Sequence, residues 1–343
     1  MTARICRLGL GAGLVIATAV TLLVRPAAAQ TLTKFTLGGP IEGPIAPVLV
    51  AQDRGYYRQH GLTVEIEKAA TVLEPIVKVA AGEFAMGIAD INALIRWQDQ
   101  NSAAAVRPVF IFYNQAPYAI IARKSRGIAV PKDLVGKKLG APAGSASGAQ
   151  WPLFAKLNDI DVSKVKVEPV GIPVRDPMLA AGQIDAITAF AFRSFVDLRD
   201  RGVPVDDLMV WRMYEYGVRL YGNAIIVNGK FASEQPQLVR GFLEAVLKGL
   251  KDTVAKPETA VESVIARNEV AKKEVELTRL RMAIRENILT PDVRAHGYGS
   301  VNPARLQLAL EQLALTQKFK TPPVPEQVFD SSFLPPDALR RVR

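Results

Sequence analysis

Cysteine and histidine are nearly missing from this chain, and their scarcity removes whole classes of chemistry. One cysteine, Cys6, occurs in 343 residues, so neither an intrachain disulfide nor a cysteine metal site can hold the molecule together. Only His60 and His296 are available as imidazoles. The sequence contains no HExxH, no GxSxG, no glycine-rich loop ending in Lys-Ser or Lys-Thr, and no paired-cysteine pattern, so zinc and triad catalysis are disfavoured. His60 precedes Gly61 at an expected helix end, where an imidazolium complements the helix dipole. His296 falls in the VRAHGYGS loop at 293–300. Repeats, low-complexity runs and long linkers are also missing, and residues 8–24 form the single long uncharged apolar stretch.

That stretch has the grammar of a secretory signal. Arg4 and Arg7 precede it, and Ala27-Ala28-Ala29 offers small-residue cleavage before Gln30. Its seventeen residues are marginal for a membrane span. Cys6 lies ahead of the apolar run, where a lipoprotein acylation cysteine does not sit. Cleavage leaves about 314 residues, more than the roughly 250–300 that a single core serves, so two lobes are expected. It also removes three arginines, taking the net charge from +10 to about +7. The remaining lysines and arginines are scattered rather than clustered with aromatics, which argues against nucleic acid as a partner. Their surplus favours encounter with small anions.

What is present is a run of alternating periodicities. Residues 34–37 read as a strand, 46–60 as a helix ending at Gly61, 62–67 as a strand, 73–81 as a helix ending at Gly82, and 86–89 as a short buried strand. Successive β-α-β crossovers favour a parallel sheet whose ligands bind beyond the strands' carboxyl ends. Gly38, Gly39, Thr71, Asp90 and Asn92 gather at those ends. The pattern repeats with strands at 139–141, 165–169 and 186–190 and helices at 149–157 and 177–181. Strands 106–113 and 118–122 mark a first crossing between lobes, and residues 220–227 carry the chain back. The lobes expected are residues 30–116 with 222–343, and 117–221, the former closing with helices such as the stripe Leu238, Val239, Phe242, Leu243, Val246, Leu247 and Leu250.

The segments AQDRGYYRQHGL at 51–62, AAGEFAMGIAD at 80–90, LVGKKLGAPAGSASG at 134–148, GQIDAITAF at 182–190 and LYGNAIIVNGKF at 220–231 together resemble the NMT1/THI5-like group of nitrate-, sulfonate- and taurine-type periplasmic solute-binding proteins. The resemblance implies an α/β, two-lobed periplasmic-binding-protein fold, each lobe a mainly parallel sheet flanked by helices, with a helical C-terminal region. It further implies a monomeric, periplasmic, cofactor-free protein that captures a small polar solute and presents it to an ABC-type permease in the inner membrane. A thiamine-pyrimidine enzyme of the same fold and a periplasmic sensor subunit stay open as alternatives. The family's pyrimidine synthases resemble enzymes that consume a histidine and rely on a cysteine-rich segment, and this chain has neither arrangement.

Several residues are candidates for the ligand. Ser145 and Ser147, in Gly144-Ser-Ala-Ser-Gly148 before an expected helix, offer hydroxyls and free N–H groups to an anion, or simply cap the helix. In the family the matching helix start commonly faces the ligand. Phe190 and Arg193 follow a strand's carboxyl end, where one can stack on a planar group and the other pair with an anion, unless they are a core Phe and a surface Arg. Tyr113, Asn114 and Gln115 at the first crossing, and Tyr221, Gly222 and Asn223 at the second, fall where a cleft would place them, though Asn and Gly also serve turns. Asp90 resembles a family aspartate that often stabilises local backbone. Ser145, Ser147, Arg193 and the basic surplus favour a carboxylate or sulfonate. An aminopyrimidine is the competing ligand, with Glu215 as its acidic partner.

Overall fold

The computed structural model describes Thr2 and residues 30–101 and 105–342; the expected signal segment, residues 1–29, lies outside the described residues but for Thr2. β1 (Thr31–Leu37) and β2 (Leu62–Lys68) pair in parallel along their whole length, from Thr31 opposite Leu62 to Leu37 opposite Lys68. The helix expected over 46–60 is broken into α1 (Ala46–Asp53) and α2 (Tyr56–Gln59). Gly55, at φ 69°, is the cause: its left-handed backbone stops one helix and starts the next. Gly61 and Gly82 take the same region, at φ 72° and 77°, and end α2 and α3 (Glu74–Ala80) as their positions foretell. β3 (Met86–Asp90), α4 (Ile91–Gln100) and β4 (Val106–Ile111) complete this part of the chain.

A second run repeats the plan. It comprises β5 (Tyr118–Arg123), β6 (Lys138–Gly140), α5 (Trp151–Leu157), β7 (Lys166–Glu168), α6 (Ile172–Ala180), β8 (Ala186–Phe190), α7 (Ala191–Asp200) and β9 (Leu208–Arg212). β10 (Asn223–Asn228) then returns to the first sheet. The strand orders are β2-β1-β3-β10-β4 and β7-β6-β8-β5-β9. In each sheet the three strands joined by crossovers are parallel, while the crossing strand, β10 or β5, pairs antiparallel on both sides. The sheets are therefore mixed, with the parallel half where the β-α-β units predict it. α6 begins five residues before the helix expected at 177–181 and carries Pro177 within it.

The remaining chain is mainly helical: α8 (Gly229–Glu234), α9 (Pro236–Ala255), α10 (Pro257–Ala260), α11 (Glu262–Ile265), α12 (Lys273–Ala283), which runs on as a π-helical turn over Ile284–Ile288, and then α13 (Pro291–His296), α14 (Pro303–Ala314), α15 (Pro325–Val328) and α16 (Asp337–Arg340). The α9 stripe Val239, Phe242, Leu243, Val246, Leu247 and Leu250 is buried against the α1 face and the ring of Tyr57. Close approach of α9 to α1 demands Gly249, where a Cβ would stand 2.2 Å from the Pro47 carbonyl oxygen. Among the described residues no helix is long and apolar enough to cross a membrane.

Candidate functional site

A cavity of about 760 Å³ opens between the sheets. Its walls are the segments at the carboxyl ends of five strands: the loops Gly38–Glu42 after β1, Ala69–Val72 after β2 and Pro142–Ser147 after β6, the loop after β7 with the start of α6, and Phe190 at the end of β8 with Arg193, Asp197 and Arg201 along α7. Each crossover must turn at a strand's carboxyl end to enter its helix, so polar backbone and side chains collect there. A smaller cavity of about 50 Å³ adjoins it, sharing Gly38, Gly39, Pro40, Glu42, Phe190 and Arg193 and adding Tyr113 and Asn223.

Nine expected residues reach these cavities. Gly38, Gly39, Phe190 and Arg193 line both, Thr71, Ser145 and Ser147 line the larger, and Tyr113 and Asn223 line the smaller. Their hydrogen bonds limit what they offer. Thr71 Oγ1 accepts from the Glu74 N–H at 3.3 Å and so starts α3. Ser145 Oγ accepts from the Gly148 N–H at 3.1 Å, the capping alternative. Ser147 makes no side-chain cap bond and lies buried against the cavity. The buried Oδ1 of Asn223 has no hydrogen-bond partner. Phe190 presents its ring to the cavity, backed by Phe192 at 5.8 Å and Tyr118 at 6.0 Å between centroids.

Four expected residues, Asp90, Asn92, Asn114 and Tyr221, lie outside both cavities, because structural hydrogen bonds consume them. Asp90 caps α4 through the Ala93 N–H at 2.8 Å and accepts from the Tyr118 hydroxyl. Asn92 donates to that hydroxyl at 2.8 Å and to the Tyr221 carbonyl at 2.7 Å. The three thus tie β3 and α4 to both crossings. Burial raises the Asp90 carboxyl above its ordinary value and the Tyr118 phenol well above its own. Asn114 donates to Asp292 at 2.9 Å and accepts from Thr290 at 2.7 Å and Arg305 at 2.9 Å. The Tyr221 hydroxyl accepts from the Asn302 N–H at 2.8 Å, while the Arg305 guanidinium lies 4.1 Å from its ring centroid. Gly222 packs on Tyr113, leaving no room for a side chain. Gln115 and Glu215 face a separate cavity with Arg212, Tyr214 and Arg285. Glu215 therefore sits away from the cleft as an acidic partner to a ligand there.

The charged lining holds the main surprise. Arg193 donates from Nε to Glu42 at 2.8 Å, and its Nη2 also lies 2.8 Å from that carboxylate. Burial opposes the Arg193 charge, but Glu42 outweighs it and holds the guanidinium pKa above its usual range. Sequence reading missed Glu42, Arg175 and Asp176. Arg175 lies inside α6, where residues after the β7 end look like a loop, and donates to Asp176 at 2.8 Å and to the Thr188 carbonyl at 3.1 Å. Neither His60, 3.9 Å from Glu244, nor His296, beside Asp292, lines a cavity described above. Among the described residues no group of His, Cys, Asp and Glu is placed to hold a metal ion.

This geometry has relatives. The chain is 27% identical over 252 residues to the riboflavin-binding protein RibY of Chloroflexus aurantiacus, covering 72% of this chain and 70% of that protein. It is 27% identical over 217 residues to a 4-amino-5-hydroxymethyl-2-methylpyrimidine phosphate synthase of Legionella pneumophila, covering 63% and 67%. It overlays the periplasmic aliphatic sulphonate binding protein SsuA from Escherichia coli with a TM-score of 0.68, at 13% identity over 91% of this chain and 92% of that one. The fold is thus the two-lobed periplasmic-binding-protein fold. The family described as NMT1/THI5 like matches residues 43–260, more than half of the chain, and the protein belongs to that family.

Proposed function

We propose that the protein is a periplasmic solute-binding subunit that closes on a planar, heterocyclic small molecule and delivers it unchanged to an ABC-type importer. The lobes in this reading are residues 30–116 with 222–343, and residues 117–221, hinged at the two crossings. The observation that carries it is the cavity of about 760 Å³ walled by strand-end loops of both sheets, so that a ligand touching both walls stabilises the closed state over the open one. Planarity is supported by the Phe190 ring and by walls rich in proline, which offer flat apolar surface rather than a dense set of donors. The riboflavin-binding relative points the same way.

The synthase relative keeps an enzyme as the second reading. Placement of both histidines away from the cleft supports binding over catalysis. Calorimetric titration with riboflavin and with 4-amino-5-hydroxymethyl-2-methylpyrimidine tests the binding reading, and incubation with pyridoxal phosphate and iron tests the enzyme. The binding reading expects a dissociation constant near micromolar, about 8 kcal/mol, and a rise in melting temperature with one of them. Formation of 4-amino-5-hydroxymethyl-2-methylpyrimidine phosphate in that incubation would transfer the protein to the enzyme reading.

A further inference from the structure

Three arginines line the cleft, and the two buried in its wall, Arg175 and Arg193, are matched by carboxylates, whereas Arg201 lies exposed at its edge. Arg175 is paired with Asp176 within α6, and its other N–H groups go to the Thr188 carbonyl and the Ser194 hydroxyl. Arg193, at the start of α7, is paired with Glu42, which belongs to the loop after β1 on the other side of the cavity. Behind them Arg279 of α12 bonds Glu276 at 2.6 Å, pairs with Asp197, and stands 3.6 Å from Glu42. Three carboxylates therefore enclose two guanidiniums, and the cluster reaches the cavity through Glu42, Arg193 and Asp197. An anion that approaches Arg193 meets a guanidinium already neutralised by this cluster, and it must displace Glu42 before any hydrogen bond from Arg193 Nε becomes available. The side chain of Arg193 is 22% exposed, so removal of Glu42 would leave its guanidinium facing the ligand space.

We propose that Glu42 sets the charge specificity of the cleft: by capping Arg193 across the cavity it turns away anionic solutes and reserves the site for uncharged ones. The inference rests on the cleft being the ligand site. It replaces the anion preference that Arg193 suggests when read alone.

Ethanesulfonate is the probe, titrated calorimetrically into wild-type protein and into Glu42→Gln. The expected result is no measurable uptake by wild type, and in Glu42→Gln an affinity at least about tenfold higher, equivalent to about 1.4 kcal/mol. Glu42→Asp keeps the charge and should show no gain. The double variant Glu42→Gln, Arg193→Gln should lose the gain, which ties it to the guanidinium rather than to a wider cavity. Glu42→Ala carries the same expectation if the glutamine variant does not fold. Equal behaviour of wild type and the folded neutral variant, or ethanesulfonate uptake by wild type, would overturn the proposal. Riboflavin titration reads the heterocycle assignment separately: its failure beside a gain of ethanesulfonate binding would sink that assignment and leave the role of Glu42 standing.

Discussion

Phe190 and Asp90 show how differently two residues at strand carboxyl ends can be used. Phe190 spends its ring on the cavity, and Phe190→Ala should weaken binding of a planar ligand by about 1–3 kcal/mol through lost burial and ring contact. Titration that finds unchanged affinity would remove Phe190 from the site. Asp90 instead serves the crossings, and its signature is a pH effect on stability. Burial is the largest influence on it and raises its pKa above 3.8, although Arg96, Tyr118 and backbone N–H groups pull the other way. A carboxyl raised on folding holds its proton more tightly folded than unfolded. Its stabilisation is complete below pH 3.8 and is lost as pH rises through the folded value. Asp90→Asn should therefore gain stability relative to wild type as pH climbs across that window, read from paired denaturant melts; a pH-independent difference would contradict it. At this scale the sequence was only partly legible. Phe190 and Arg193 were found because they follow a strand, but the meaning of Arg193 depends on Glu42, 151 residues away, which no local pattern announces.

At the scale of elements, local rules worked where structure is local. Crossover strands and helices at 31–90 follow from periodicity and from glycines that take positive φ, and each stop is a Gly in the left-handed region. The antiparallel places of β10 and β5 were not readable, since their partners are set by long-range pairing rather than by adjacent sequence. β9 was overlooked because its five residues, LMVWR, are only partly buried and show no clean alternation. The contact between α1 and α9 gives a direct test. Gly249→Ala would put a Cβ at 2.2 Å from the Pro47 carbonyl oxygen, too close without movement of one helix. The expected loss is about 1–3 kcal/mol in chemical denaturation, and a neutral substitution would mean that the helices are looser than described. Gly61→Ala meets no neighbour within 4 Å, so its cost comes from φ 72° alone. It should be about 1 kcal/mol.

For the whole molecule, the proposed function makes closure across the cavity between the two sheets the central event. Ligand that touches loops from both sheets shifts the population only by its preference for the closed form. Arg212 of β9 also holds Glu286 of the π-helical turn by two bonds, at 2.7 and 2.9 Å, so any hinge motion must either preserve this pair or break it. Arg212→Gln should increase the open population seen by small-angle scattering without ligand, whereas unchanged dimensions would place the hinge elsewhere. Length and crossover order were enough to anticipate two lobes, while the Glu42–Arg193 ion pair was not, because it forms only when distant loops meet. The most direct measurement of the central claim is native mass spectrometry of the purified protein mixed with riboflavin, followed by denaturation and analysis of what is released. The account predicts a one-to-one complex and riboflavin of unaltered mass; release of an altered product, or no retention of riboflavin at concentrations far above micromolar, would contradict it.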